Sequence, residues 1–125
     1  MRPLAALPLL LAAVGALAAC GGDDGDAGPS SEPVPDDPDV VVVAENMAFD
    51  PDAVDVAADE SVTIVIDNRD DGVNHNIHIE DAPSPDKTRL ELGPSQQALT
   101  VTLPAGDYDF VCDIHPTMTG TIAAG

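Results

Sequence analysis

Short stretches that alternate apolar and polar residues dominate the sequence from residue 40 onward. The clearest is SVTIVID at 61–67, in which Val62, Ile64 and Ile66 fall on one face of a strand. The run Val40–Val43 is β-branched throughout and too short for a helix, so it predicts a buried strand. Weaker alternation predicts further strands at 53–56, 76–80, 98–103, 108–112 and 119–123.

Turn-forming residues separate these stretches. The segments NRDDG at 68–72, APSPD at 82–86 and PAG at 104–106 combine the Gly, Pro, Asn and Asp residues typical of tight turns. No amphipathic helical period interrupts the pattern. The sequence therefore predicts an all-β fold, a sandwich or small barrel of about six to eight short strands.

The first 19 residues differ from the rest of the chain. Arg2 precedes the uncharged, mostly Leu and Ala stretch Leu4–Ala19, which is too short to span a bilayer comfortably. Residues rich in Pro, Gly and acidic side chains follow, with nothing to bury a helix. We therefore interpret residues 1–19 as an export signal.

The end of this signal, LAAC at 17–20, resembles a bacterial lipoprotein signal. The resemblance implies cleavage just before Cys20 and acylation of its thiol, which would hold the protein on a membrane surface by a lipid anchor alone. The segment ALA at 16–18 also fits an ordinary cleavage site, and this alternative stays open. We favour the lipoprotein signal, because few sequences end a run of small residues on a cysteine.

An acidic linker joins the signal to a single domain. Apart from Val34, residues 21–39 include no large apolar side chain, so the sequence predicts a disordered tether at 20–39. Residues 40–125 then form one domain that is large enough for a single core.

The net charge of the chain limits the classes of molecule that it is expected to bind. The net charge is −19, and the domain has only Arg69, Lys87 and Arg89 as basic residues. Such a surface disfavours binding to nucleic acid or to anionic lipid head groups. The acidity suits either solubility or docking to a basic protein, and solubility is the simpler interpretation.

The segment CDIHPTM at 112–118 carries the candidate chemistry. If Cys20 is acylated, Cys112 has no disulfide partner. A buried cysteine acting as a small hydrophobic residue is one alternative, but it leaves His115 and Met118 at this spacing unexplained. A thiolate, an imidazole and a thioether within one tight loop suit copper, and His75, just after the NRDDG turn, can supply another ligand.

With these residues the domain resembles the cupredoxins, above all their plastocyanin-like and amicyanin-like members. The likeness covers MAF at 47–49, SVTIVIDN at 61–68, HNIH at 75–78, GP at 93–94 and AGDYDFVCDIHPTM at 105–118. The spacing C-x₂-H-x₂-M is the short-loop form found in amicyanin-like proteins.

The resemblance implies a Greek-key β-sandwich of about seven to eight strands with one type 1 copper ion. The family's ligands fall on His75, Cys112, His115 and, in the axial position, Met118. It also implies that the Asn76 amide donates to the cysteine sulfur while its side chain ties the two ligand loops together.

Other residues receive different interpretations. His78 lies three residues after His75, on the opposite face of a strand, and is not expected to be a ligand. Tyr108 and Phe110 occupy alternate positions of a predicted strand, and we interpret both as core residues. The sequence departs from the family in lacking tryptophan and in its acidity. It also has Ile66 where family members often have an aromatic residue, and Asn74 where amicyanin-like proteins have a proline.

The function that follows is electron transfer rather than catalysis. We expect a monomeric, lipid-anchored carrier on the extracytoplasmic (periplasmic or cell-surface) face of the cell membrane, serving a cytochrome, an oxidase or a dehydrogenase as redox partner. A copper-binding module for trafficking or storage is the alternative, although the sequence lacks Met-rich or His-rich stretches. A copper enzyme needs a second site with more histidines, and the chain has only three.

Overall fold

The structure, a computed structural model, describes residues 32–125, which form ten β-strands and no helix. The strands are β1 Val40–Glu45, β2 Ala48–Asp50, β3 Ala53–Val56, β4 Ser61–Asn68, β5 Asn74–His75, β6 His78–Ile79, β7 Glu91–Leu92, β8 Ser95–Thr102, β9 Gly106–Cys112 and β10 His115–Ala124. Within these described residues, no helix is long and apolar enough to cross a membrane. The predicted all-β fold is confirmed.

Two four-stranded sheets form the architecture, in the orders β2-β1-β4-β8 and β3-β10-β9-β6, with β5 and β7 paired separately. In each sheet one parallel pair, β1 with β4 or β3 with β10, adjoins antiparallel neighbours. The chain crosses from one sheet to the other between β2 and β3, between β3 and β4, and between β8 and β9. This arrangement is the Greek-key β-sandwich of the sequence analysis, with additional short strands.

The core lies between the two sheets and follows the alternation in the sequence. Ile64 and Ile66 of β4 are buried within one cluster with Phe110 of β9. The Phe110 ring tilts against Phe49, with 5.1 Å between ring centroids. Gly120 on β10 lies directly beside Phe110, where a Cβ atom would collide with the ring.

The predicted strand at 76–80 is wrong in detail. Within this range the structure has only the two-residue strand β6, which Asn76 and Ile77 separate from β5. The reason is a competing set of hydrogen bonds: Ile77 N donates to Thr88 Oγ1 at 3.1 Å, and Thr88 N donates to Ile77 O at 3.0 Å. These bonds replace a strand ladder and turn the buried Asn76 side chain toward the loop at 112–115.

The last part of the predicted linker contacts the domain. Glu32 N donates to Ala98 O on β8, and Asp39 N donates to Thr63 O on β4. The segment between them crosses the outer face of the first sheet and covers Val65, which is buried although it lies outside the core cluster. The predicted export signal, Cys20 and the start of the linker lie outside the described residues.

Candidate metal centre

Three of the predicted ligands meet at one end of the sandwich. Cys112 Sγ lies 4.0 Å from His75 Nδ1 and 3.6 Å from His115 Nδ1, and the two Nδ1 atoms are 3.2 Å apart. A point equidistant from all three atoms lies about 2.1 Å from each, close to metal–nitrogen and metal–sulfur bond lengths in proteins. The three donor atoms therefore fit around a single ion.

The topology brings these residues together from distant parts of the sequence. Cys112 ends β9 and His115 begins β10, so the two ligands flank a tight loop and are paired across the ladder. His75 comes from β5, 37 residues before Cys112. The rings of His75 and His115 meet edge to face, with 5.0 Å between centroids.

His75 is the most enclosed of the three side chains, with 0% of its surface exposed. Its Nε2 lies 2.7 Å from Asp70 Oδ2, so the hydrogen on the ring can lie on Nε2 while the Nδ1 lone pair faces the other ligands. The hydrogen bond with His75, together with those from the Asn46 and Met47 amides, holds the pKa of Asp70 below its ordinary value.

Buried Asn68 shapes the loop that carries Asp70. Its side-chain amide donates to Val73 O at 2.9 Å and Glu91 O at 3.0 Å, while its Oδ1 accepts from Asp70 N at 3.0 Å. Gly93 passes so close to Asp70 O that a Cβ atom there would collide with it. Hydrogen bonds of the buried Asn68 side chain therefore fix the conformation of the turn at 68–72.

Asn76 joins the two ligand-bearing loops. Its Nδ2 donates to Asp113 Oδ2 at 2.8 Å, and Asp113 N donates to its Oδ1 at 2.9 Å. Asn76 thus lies where the resemblance places it, beside the ligands. The implied bond from Asn76 N to Cys112 Sγ is not among the hydrogen bonds of residues 32–125.

His78 lies outside the group formed by the three ligands. Its Nδ1 is 2.7 Å from Asp113 Oδ1, and its Nε2 is 3.4 Å from Asp86 Oδ2. Burial acts to raise the pKa of Asp113, but the hydrogen bonds from His78 and Asn76 hold it below its ordinary value. His78 therefore braces the Cys112–His115 loop through a carboxylate.

The two methionines of the described residues have different environments. Met118 is 1% exposed and belongs to the core cluster, within the stretch of β10 where the pairing with β9 shifts register between His115 and Thr119. Met47 is 43% exposed at the surface turn before β2. Burial on the ligand-bearing strand makes Met118 the candidate for a fourth ligand.

Two site residues were missed by the sequence interpretation. Asp70 and Asp113 both lie within segments that it singled out, NRDDG and CDIHPTM, but as turn and loop residues. An acidic residue five positions before a candidate histidine ligand is a usable signal for a partner of the ring, because ligating histidines commonly donate to a carboxylate.

The donor set matches copper chemically. A thiolate with two imidazoles is a soft, redox-compatible set, and a buried thioether is the usual weak axial ligand of blue-copper sites. Neutral imidazoles with one thiolate also keep the charge low at a buried position.

Comparison with known proteins gives one family and one fold. Residues 9–124 match the family model of the cupredoxin-like domain. No curated protein sequence shows significant similarity to the chain.

The similar solved structures include blue copper proteins. Reduced auracyanin from the photosynthetic bacterium Roseiflexus castenholzii is 21% identical, with a TM-score of 0.61 over 69% of this chain and 95% of its own. Auracyanin A, a "blue" copper protein from Chloroflexus aurantiacus, is 22% identical, with a TM-score of 0.59 over 68% and 96%. A reduced Cu(I) form of an amicyanin mutant is 25% identical, with a TM-score of 0.59 over 81% and 95%.

Proposed function

This chain belongs to the cupredoxin-like domain family, and we propose that it is a single-copper electron carrier that cycles between Cu(I) and Cu(II). The observation that carries the proposal is the convergence of one cysteine sulfur and two imidazole nitrogens around one point. With the buried Met118, these side chains are arranged as a type 1 copper site.

Each proposed ligand has a distinct role. Cys112 Sγ, His75 Nδ1 and His115 Nδ1 would hold the copper ion, and the buried Met118 thioether would be a weaker fourth ligand. The thiolate supplies the covalent character and the soft donor that stabilises Cu(I), while the imidazoles suit both oxidation states.

Rigid support of the ligands favours electron transfer over storage. Asp70 holds the His75 ring, and the Asn76–Asp113 pair holds the Cys112 loop against the His75 loop. Ligands held by a hydrogen-bonded surrounding shell move little when the charge of the ion changes, which keeps the barrier to electron transfer low.

The exposure of the two histidines suggests where electrons leave. His75 is fully enclosed, whereas His115 is half-buried and is preceded by Ile114, which is 48% exposed. We therefore place the contact with a redox partner (a cytochrome, an oxidase or a dehydrogenase) at the His115 edge.

The location of the protein is a separate part of the proposal. The sequence interpretation of residues 1–19 as an export signal and Cys20 as a lipidated residue supports a protein tethered outside the cytoplasm by its lipid alone, and we propose that this protein is a monomer. On this basis the carrier works at the extracytoplasmic face of the cell membrane.

The test is to add copper to the purified protein and record its visible absorption and voltammetry. An intense blue thiolate-to-Cu(II) band at one copper per chain, with a reversible one-electron wave, is the expected result. A colourless protein with one bound copper, or one that holds Cu(I) without a reversible wave, would contradict electron transfer.

A further inference from the structure

We propose that Asp70 is a positioning residue: it fixes the ring orientation and tautomer of His75 and shifts the preference of the site toward Cu(II). The inference rests on the proposed copper-binding function, because it concerns the setting of one proposed ligand. Asp70 itself is not a ligand, since its carboxylate faces the opposite nitrogen of the His75 ring.

The contact with His75 is short and enclosed. Asp70 Oδ2 lies 2.7 Å from His75 Nε2, and the His75 side chain has no exposed surface. A carboxylate accepts hydrogen bonds but does not donate them, so the ring hydrogen must lie on Nε2. In the neutral ring the Nδ1 lone pair is then directed toward Cys112 Sγ and His115 Nδ1.

The carboxylate is itself held in place by the β1–β2 turn. Asn46 N donates to Asp70 Oδ1 at 2.8 Å, and Met47 N donates to Oδ2 at 3.2 Å. Both turn residues have positive φ, 54° and 61°, a conformation that residues with side chains rarely adopt. The two hydrogen bonds stabilise this turn, and the turn in return prevents the carboxylate from following a displaced His75 ring.

This fixed carboxylate favours the more highly charged ion. A carboxylate that accepts a hydrogen bond from the ring N–H makes the imidazole a more basic ligand. A more basic imidazole stabilises Cu(II) more than Cu(I). An asparagine at position 70 would have the same shape but only one acceptor oxygen for three N–H donors. The Asp70→Asn variant should therefore loosen His75 and raise the reduction potential.

Asp71 provides a matched control. It is the exposed neighbour of Asp70 and carries the same charge. The Asp71→Asn variant therefore removes one negative charge near the site and leaves the bond to His75 in place. A difference between the two variants in ring tautomer or reduction potential is therefore an effect of the hydrogen bond to His75 and not of the lost surface charge.

The first measurement needs no copper. In the copper-free protein, ¹⁵N NMR of the His75 ring should show the hydrogen on Nε2 in the wild type and in Asp71→Asn, and a mixture of ring forms in Asp70→Asn. A wild-type ring with its hydrogen on Nδ1 would overturn the proposal, even if the Asp70→Asn variant does not fold. This result is also readable if the protein proves not to carry electrons.

The second measurement is the reduction potential of the copper-bound proteins. We expect Asp70→Asn to weaken the preference for Cu(II) at least tenfold, which is about 59 mV for one electron. The shift in Asp71→Asn should be less than half as large, and Asp70→Glu, which keeps a carboxylate, should shift the potential less than Asp70→Asn. Equal shifts in Asp70→Asn and Asp71→Asn would overturn the proposal, because charge alone would then explain both.

Discussion

The two segments that supply the proposed ligands are built in different ways. The segment 112–118, which spans the end of β9, the turn after it and the start of β10, contributes three candidate ligands, and His115 within it is half-buried. The segment 68–75 contributes only His75, but it encloses that ring completely and fixes it through Asn68 and Asp70. The segment 112–118 therefore supplies most of the candidate ligands and the partly exposed histidine, and the segment 68–75 holds its single histidine in a fixed position.

The largest expected effect comes from the thiolate of the first segment. In Cys112→Ser the soft sulfur is replaced by a hard oxygen, and we expect complete loss of the blue band and of tight copper binding. Visible absorption of the copper-treated variant checks this. Cys20→Ser is the control, because it alters the other cysteine of the chain and should keep the colour. A blue Cys112→Ser variant would show that the thiolate is not a ligand.

The second prediction compares the two histidines directly. His115→Gly opens a gap at a half-buried position, whereas His75→Gly opens one in a fully enclosed position. Added imidazole should therefore restore colour to copper-treated His115→Gly at concentrations that leave His75→Gly unchanged. Equal recovery of the two variants in an imidazole titration would contradict the difference in enclosure.

The third prediction concerns the inner support of the second segment. Asn68→Ala removes a side chain that makes three hydrogen bonds at a buried position. We expect the free energy of unfolding of the copper-free domain to fall by about 3 kcal/mol. Urea unfolding measures it. The exposed Gln96→Ala serves as control, with a change within about 0.5 kcal/mol, and a similarly small change in Asn68→Ala would refute the role of Asn68.

The fourth prediction is a pH dependence. The pKa values of Asp70 and Asp113 lie below their ordinary value of 3.8, so each carboxylate stabilises the fold above that pH. This stabilisation is lost as the pH falls below 3.8 and through the lowered pKa values. In acid titrations of the copper-free domain followed by circular dichroism, Asp113→Asn should lose less stability than the wild type. Identical pH profiles would contradict this prediction.

The smallest effect is expected at the proposed axial position. Met118→Leu nearly conserves side-chain volume at a buried site, so the free energy of unfolding should change by less than about 1.5 kcal/mol. Because the axial ligand tunes the potential without holding the ion, the variant should stay blue and differ from the wild type in its reduction potential. Loss of copper from Met118→Leu would make the thioether a principal ligand.

The same contrast explains what could be predicted from the sequence. The alternation of Val62, Ile64 and Ile66 identifies β4, because a strand with one buried face shows its period locally. The ligands of the segment 112–118 are likewise close together in the sequence. These features depend on few long-range contacts.

Other features depend on partners far away in the chain. The break between β5 and β6 arises from bonds between Ile77 and Thr88, and the role of Asp70 depends on the β1–β2 turn more than 20 residues earlier. The packing of residues 32–39 on the first sheet also escaped prediction, because composition alone favours a flexible chain there. Local pattern contains no information on such pairings.

The central claim is that the Cys112 thiolate and the imidazoles of His75 and His115 bind one copper ion together. X-ray absorption at the copper edge of the purified protein tests it most directly, because it reports the type and number of atoms bound to the ion. We predict one copper per chain with one short sulfur and two nitrogen neighbours, and loss of the sulfur neighbour in Cys112→Ser. A copper ion surrounded only by oxygen and nitrogen atoms in the wild type would contradict the claim.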